Sequence, residues 1–250
     1  MNIAEFAILL VIFLATSIVG VVTGSNSLIT VPAMFQFHIE PRVAVATNMF
    51  GLVFMTAGST IPFIRQKTVD LKKVSPLLII TAVSSALGAM LVGHISAEGI
   101  KTLVSVSMIA VAIFIVVNPG KGTTAEVRPA RPGVIAYGLI FALGVYGGLF
   151  SGGYVTILTV VLVAFFGMRF SESIAATKLV NLVSSTIASV LFMWQGLVDY
   201  TLGIWLAAAM FVGGYVGAHY AARMNDVWLK RIFLIAVFLL ALKIIFDLVF

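Results

Sequence analysis

The sequence contains no cysteine and few charged residues. Without Cys among its 250 residues, the chain cannot form disulfides, thiolate metal sites or cysteine-based redox relays. Asp, Glu, Lys and Arg together make up 10% of the residues, and 61% are hydrophobic. A soluble domain carries about a quarter of its residues as charges. The composition therefore predicts an all-α polytopic membrane protein.

Titratable groups are too few and too scattered for most chemistry. The nine acidic residues lie near predicted helix ends or in loops, so no acid is left for a proton relay at the membrane midplane. The three histidines lack metal-ligand spacing, and no acid pair or activated nucleophile is apparent inside the spans. We therefore expect no metal, no cofactor and no enzymatic activity. The net charge of +6 is dispersed over short loops, which argues against nucleic-acid binding.

Two stretches of the chain resemble each other at a fixed separation. Residues 63–70 read F-I-R-Q-K-T-V-D and residues 192–199 read F-M-W-Q-G-L-V-D, so F-x-x-Q-x-x-V-D recurs 129 positions later. Gly88-Ala89 recurs at the same separation as Gly217-Ala218. Paired halves in such an apolar chain are typical of secondary transporters that bind their substrate between two repeats.

Each half divides into about five apolar segments, of which one is short. The predicted segments are 3–23, 27–37, 43–64, 74–93 and 100–117 in the first half, and 133–150, 154–166, 174–194, 201–222 and 229–250 in the second. As helices rising 1.5 Å per residue, segments 27–37 and 154–166 would reach only about 16 to 20 Å. The hydrocarbon layer is about 30 Å thick. Each short segment is therefore predicted to be half of a broken or re-entrant element.

Equivalent loops of the two halves differ in charge. The loop at residues 65–73 is rich in Lys and Arg, whereas its counterpart in the second half carries only Asp199. At the next loop the bias reverses, because residues 94–101 are balanced and residues 223–231 carry a positive excess. Cationic loops stay on the cytoplasmic side of a membrane. Equivalent loops should then face opposite sides.

This charge pattern predicts two inverted repeats, each with an odd number of elements. The repeats would be residues 1–118 and 133–250, joined by a cytoplasmic linker at residues 119–132 that is rich in Pro, Gly and Arg. The alternative is a parallel duplication of four plus four segments, with each short segment absorbed into its neighbour.

A glycine-rich stretch precedes each short segment. Residues 20–27 read G-V-V-T-G-S-N-S, and residues 147–154 read G-G-L-F-S-G-G-Y. Unwound backbone at membrane depth must face protein or water, and the helix that follows directs its amide N–H groups and positive dipole end into the cavity. Such a site suits an anion. The alternative is that the glycines only allow close helix packing.

Polar residues also lie inside the third segment of each half. Thr47 and Asn48 follow the start of one, and Thr177 and Lys178 follow the start of the other. Lys178 is a cation well inside a predicted span, and Asn181 lies three residues on along the same helical face. Lys178 would supply positive charge to the site, or else extend to the nearer interface. The predicted substrate-binding residues are Gly24, Ser25, Asn26, Ser27, Thr47, Asn48, Ser151, Gly152, Gly153, Thr177, Lys178 and Asn181.

At these residues the chain resembles the sulfite exporter TauE/SafE family, also grouped as the 4-toluene sulfonate uptake permeases. The first copy of the family pattern is the glycine-rich stretch up to Pro32, followed by P-R-V-A-V-A-T at residues 41–47. The second copy, S-E-S-I-A-A-T at residues 171–177, lacks the prolines. The resemblance covers essentially the whole chain and implies a permease for sulfite or a related organosulfur anion.

Together these observations predict a multi-pass protein of the bacterial inner membrane. It would carry a small anion, with sulfite or an organosulfonate as the leading candidate, by alternating access between the two repeats and with a proton or sodium ion as a possible coupling ion. The alternatives are a carrier for a cation or neutral solute at the same midplane site, and a channel. The sequence does not predict the oligomeric state.

Overall fold

The computed structural model describes residues 2–24, 26–66, 68, 70–117, 132–225, 227–229, 231–232 and 235. Within these residues the chain forms helices and no strands, as the composition predicts. The helices are α1 (Ile3–Thr23), α2 (Ser27–Gln36), α3 (Pro41–Arg65), α4 (Leu71–Val92), α5 (Ala97–Val117), α6 (Val134–Leu149), α7 (Tyr154–Phe166), α8 (Phe170–Trp194) and α9 (Tyr200–Ala221). Most of the predicted linker and of the last predicted segment, 229–250, lies outside the described residues.

The described helices include five that are long and apolar enough to cross a membrane, namely α1, α3, α4, α8 and α9. The chain is thus a multi-pass membrane protein. The two short segments appear as α2, with 10 residues, and α7, with 13 residues. At 1.5 Å per residue these helices are about 15 and 20 Å long. The prediction that one short helix follows each glycine-rich stretch is confirmed.

Helix boundaries repeat at the separation seen in the sequence. α3 and α8 have 25 residues each, α4 and α9 have 22 each, and the first residues of both pairs stand 129 positions apart, as 41 and 170, and 71 and 200. The third segments begin earlier than predicted, at Pro41 and Phe170. Proline is well tolerated in the first turn, and the Glu40 side chain accepts the N–H of Val43 there.

Left-handed backbone positions repeat in the same way. Gly24 and Gly153 precede the short helices with φ of 70° and 75°. The short helices are followed by His38 and Gly167, with φ of 60° and 61°. Because left-handed φ is uncommon, its recurrence at equivalent positions shows that the duplication extends to the backbone.

The fourth helix of each half packs on the other half. α4 packs mainly against α6 and α8, and α9 packs mainly against α3 and α1. Small residues allow these close approaches, since a Cβ added at Gly88 would lie 2.0 Å from the carbonyl oxygen of Val145, and one added at Gly217 would lie 2.3 Å from that of Ile18. Small residues thus allow close helix packing at equivalent positions of α4 and α9.

Contacts along these pairs give their relative directions. α9 runs parallel to α1, with Phe6 beside Trp205 near one end and Ile18 beside Gly217 near the other. α4 runs parallel to α8, because Lys73 pairs with Glu172 at one end and the Gln195 side chain donates to the Ala89 carbonyl at the other. The two halves are therefore interleaved through their fourth helices.

The described acidic residues all lie at helix N-termini. Each is an N-cap or belongs to a first turn, and they are Glu5, Glu40, Asp70, Glu98, Glu172 and Asp199. A carboxylate there complements the positive end of the helix dipole and lies near the helix end, where water is within reach. The described part of the chain thus places no acid in the middle of a long helix.

Candidate functional site

The two glycine-rich breaks meet between the halves of the molecule. The Thr156 hydroxyl at the start of α7 donates to the Thr23 carbonyl at the end of α1, at 2.7 Å. A Cβ added at Gly24 would lie 2.6 Å from Cβ of Val155, and one added at Gly152 would lie 2.7 Å from the Leu28 side chain. Each break therefore contacts the first turn of the short helix of the other half.

Contacts with the long helices put both breaks near the middle of the bundle. The Asn26 side chain reaches the Met55 sulfur, just past the middle of α3, at 3.5 Å. In the other half, a Cβ added at Gly148 would lie 2.1 Å from the Ser85 carbonyl oxygen. The Ser85 hydroxyl donates to Ser184, just past the middle of α8, at 2.7 Å. The two breaks thus lie at equivalent depths.

At both short helices, the N-cap residue contributes no side-chain cap within the described part of the chain. Asn26 is the N-cap of α2 and Gly153 is the N-cap of α7, and neither makes a side-chain cap hydrogen bond. The first N–H groups of a helix have no partner within the helix and carry the positive end of its dipole. Because α2 and α7 start beside each other, two such positive ends converge on one region. Convergent helix N-termini are suited to holding an anion.

Lys178 lies beside this region and is almost fully buried, with 2% of its surface exposed. Its Nζ donates to the carbonyl oxygen of Gly20, near the end of α1, at 3.4 Å. The ion pairs of the described residues join Arg42 to Glu40 and Lys73 to Glu172, so no described carboxylate pairs with Lys178. A buried ammonium without a counter-charge is costly, and in a membrane protein such a residue is by default a hypothesis for a functional site.

Asn48 joins α3 to the start of α2. Its Nδ2 donates to the Ser27 hydroxyl at 2.9 Å, and its Oδ1 accepts from the Thr30 hydroxyl at 2.7 Å. All three residues are buried. Both functional groups of the amide are therefore used, and the network fixes the position of the α2 N-terminus relative to α3.

Two further buried amides have an oxygen without a protein partner among the described residues. These are Oδ1 of Asn26, at the first break, and Oδ1 of Asn181, one turn beyond Lys178. Buried polar atoms are nearly always hydrogen-bonded, so an unpaired one calls for an explanation such as a ligand or water. Both residues belong to the predicted binding set.

The predicted residues do not all converge on the break region. Thr47, in α3, lies beside the start of α9, where its hydroxyl accepts the N–H of Asp199 at 3.0 Å. The Thr177 hydroxyl donates to the Ile174 carbonyl of its own helix at 2.8 Å. The second break is represented by buried Ser151 and by Gly152, whose carbonyl accepts from the Tyr146 hydroxyl. Ser25 lies outside the described residues.

Helix boundaries also revise one predicted correspondence. The sequence pairs Asn48 with Lys178 only if the separation changes by one residue. α3 and α8 have the same length and begin 129 positions apart, without such a shift, so Asn48 corresponds to Thr177. Polar character at this position is thus a property of both halves, whereas Lys178 corresponds to Met49 and is specific to the second half.

Sequence reasoning missed two hydroxyls of the break region. Thr30 binds Asn48, and Thr156 binds the opposite break. The internal repeat carried a usable signal, because Ser27 and Thr30 in α2 recur at the same separation as Thr156 and Thr159 in α7. Hydroxyl residues at both equivalent positions would have marked the inward face of each short helix.

Comparison with known proteins places the chain among membrane transporters. The family model described as sulfite exporter TauE/SafE matches residues 8–244. A probable membrane transporter protein of Sinorhizobium sp. is 26% identical over 245 residues, which cover 97% of this chain and 94% of that protein. A probable membrane transporter protein of Haemophilus influenzae is 25% identical over 243 residues, which cover 96% of this chain and 94% of that protein. The probable membrane transporter protein YfcA of Escherichia coli K12 is 26% identical over 232 residues, which cover 90% of this chain and 84% of that protein. No solved structure gives a significant match.

Proposed function

Because this chain belongs to the sulfite exporter TauE/SafE family of membrane transporters, we propose that it carries a small anion, sulfite or an organosulfonate, through the region where its two breaks meet. The family and its relatives are described as transporters, which agrees with the prediction of a transporter rather than an enzyme. The proposed substrate is suggested by the description of the family as sulfite exporters and by the chemistry of the break region.

One observation carries the choice of an anion. The N-termini of α2 and α7, whose N-cap residues make no side-chain cap hydrogen bond, lie beside each other, and the buried ammonium of Lys178 approaches the end of α1 in the same region. Three sources of positive potential thus converge without a described carboxylate to balance them. An anion entering this region would supply the missing counter-charge, and its oxygens would accept from N–H groups.

Alternating access between oppositely inserted repeats is the mechanism that we propose. Helices joined by a short connection, as α3 and α4 are, normally run antiparallel. Since α9 runs parallel to α1 and α4 runs parallel to α8, equivalent helices of the two halves are then expected to point in opposite directions. The reversed charge of equivalent loops supports the same arrangement. Rocking one repeat against the other would open the break region to either side in turn.

Replacing Lys178 by Met tests the proposed role of its charge. Met has a similar length and no charge, so the variant should fold at least as stably as the unmodified protein, because an unpaired buried charge is removed. Sulfite flux into proteoliposomes should nevertheless fall about tenfold or more, since hydrogen bonds to charged groups contribute about 1.5–3 kcal/mol. Lys72→Gln, at an exposed site near the start of α4, is the control for net charge. Undiminished flux in folded Lys178→Met would remove Lys178 from the site.

A cation or neutral-solute carrier is the second candidate. The unpaired oxygens of Asn26 and Asn181 favour it, because amide oxygens are cation ligands. A flux assay with labelled sulfonate and unlabelled competitors separates the two candidates. An anion carrier should be inhibited by sulfite and unaffected by metal chlorides at matched ionic strength, and a cation carrier should show the reverse.

A further inference from the structure

A cavity of about 480 Å³ opens at the end of the bundle where α3 begins and where α4 and α8 end. Its walls come from both halves of the molecule. Arg42, Met90, Gly93 and His94 belong to the first half, and Trp194, Gln195 and Leu197 belong to the second. It is separate from the break region, which lies near the middle of the long helices.

The lining combines one strong cation with an apolar wall. The Arg42 guanidinium is held by Glu40, whose carboxylate accepts from Nε at 2.9 Å. No hydrogen bond among the described residues uses the terminal Nη groups of Arg42, which remain as donors. Met90, Trp194 and Leu197 supply apolar surface, and 80% of Trp194 is exposed. A pocket with mostly apolar walls and a few convergent polar groups is typical of a small-molecule site.

Contacts with carbonyl groups of α4 hold both His94 and Gln195 in the cavity wall. The His94 Nδ1 lies 3.1 Å from the Met90 carbonyl oxygen, so Nδ1 carries the hydrogen and Nε2 remains for another partner. Gln195 donates to the Ala89 carbonyl at 3.2 Å, and a Cβ added at Gly93 would lie 2.6 Å from its Oε1. Gln195 therefore ties the end of α8 to the end of α4, and these two helices belong to different halves.

We infer that this cavity binds an amphipathic organic anion. Its acidic group would accept from the Nη groups of Arg42, and its apolar body would lie against Met90, Trp194 and Leu197. The cavity is much larger than a bare oxyanion, and the apolar wall gives such an ion nothing to bind. An occupant would be wedged between α4 and α8, so it would hinder any movement of one half against the other.

Binding of hexanesulfonate to the purified full-length chain tests this inference. The measurement is calorimetric titration in vesicles of phosphatidylcholine, with methanesulfonate as the probe that has the same head group and no apolar body. We expect hexanesulfonate to bind with a much higher affinity than methanesulfonate. Arg42→Gln and Trp194→Ala should each weaken hexanesulfonate binding about tenfold, as expected for loss of a charge-assisted hydrogen bond or of alkyl surface buried against the indole ring.

Matched variants separate the cavity from non-specific binding. Arg223→Gln and Trp205→Ala change an exposed Arg and an exposed Trp elsewhere and should leave binding unchanged. The effects of Arg42→Gln and Trp194→Ala should persist when either is combined with Lys178→Met, which removes the charge of the proposed transport site, so the result does not depend on that site. Equal binding in Arg42→Gln, Trp194→Ala and their controls would overturn the inference.

An anionic lipid has the same chemistry as the proposed ligand, since it joins an acidic head group to an apolar chain. A second titration therefore uses vesicles that contain phosphatidylglycerol. If hexanesulfonate still binds, the cavity takes a soluble anion in preference to lipid. If phosphatidylglycerol prevents binding in the unmodified chain, and Arg42→Gln removes that lipid effect, the natural occupant is the lipid, and the site is still the one inferred here.

Discussion

Replacing Gly24 by Ala tests whether the close contact between the two breaks matters for stability and transport. Gly24 has φ of 70°, so any residue with a Cβ is strained there. The added Cβ would also lie 2.6 Å from Cβ of Val155 and 2.9 Å from the Thr156 backbone nitrogen. These atoms begin the second short helix and move only if that helix moves.

Gly196→Ala provides a control with the same backbone strain and no clash. Gly196 also has φ of 70°, but nothing lies within 4 Å of an added Cβ. Left-handed backbone costs a residue with a Cβ roughly 1–2 kcal/mol, and both variants bear that cost. Overpacking adds roughly 1–3 kcal/mol at Gly24 alone. Gly24→Ala should therefore lower the free energy of unfolding by roughly 2–5 kcal/mol, against roughly 1–2 kcal/mol for Gly196→Ala.

The assay combines thermal unfolding in detergent with anion flux in proteoliposomes. Gly24→Ala should unfold at a lower temperature than Gly196→Ala and lose most of its flux, because the N-termini of α2 and α7 are forced apart. Gly196→Ala should keep its flux. If the two variants lost equal stability and equal flux, backbone strain alone would explain both losses, and the contact between the breaks would have no role in transport.

Three further substitutions have definite expected outcomes. In thermal unfolding, Gly88→Ala should be destabilising by about 1–3 kcal/mol, because its Cβ would clash with the Val145 backbone. Gly138→Ala, which has open space around the added Cβ, is the control and should be neutral or slightly stabilising. Similar losses of stability in the two variants would contradict the packing of α4 on α6. Asp199→Ala should cost about 1 kcal/mol of unfolding free energy, since its side chain caps α9, and an unchanged midpoint would refute that role. Asn48→Ala should cost about 1–3 kcal/mol and reduce flux, because the Ser27 hydroxyl loses its donor and the Thr30 hydroxyl keeps only the Asn26 carbonyl as a partner; normal flux would exclude Asn48 from positioning α2.

The repeat and the short helices could be predicted from the sequence because both depend on local pattern. The recurrence of F-x-x-Q-x-x-V-D set the separation that the helix boundaries later reproduced. Segment length was enough to identify α2 and α7, since an apolar run of 10 to 13 residues cannot cross a bilayer as a helix. The helix α3 begins two residues before the predicted segment 43–64, because proline is tolerated in the first turn of a helix.

The break region could be predicted only in part. Glycines, Asn48 and Lys178 stand out by residue type at membrane depth, and the structure buries Asn48 and Lys178 near the breaks. Thr47 stands out in the same way, yet its side chain contacts the start of α9 rather than the breaks. Which face of a helix turns inward depends on the helices packed around it. The packing of α4 and α9 on the opposite half depends on contacts between residues far apart in sequence, so no local pattern predicts it.

Opposite insertion of the two repeats can be measured by cysteine labelling. The chain has no native Cys, so Lys72→Cys and Thr201→Cys each give a single label site at exposed, equivalent positions near the starts of α4 and α9. A membrane-impermeant maleimide applied to intact cells should label Thr201→Cys, and should label Lys72→Cys only after the membrane is permeabilised. Labelling of both positions from the same side would contradict the inverted arrangement and the transport mechanism built on it.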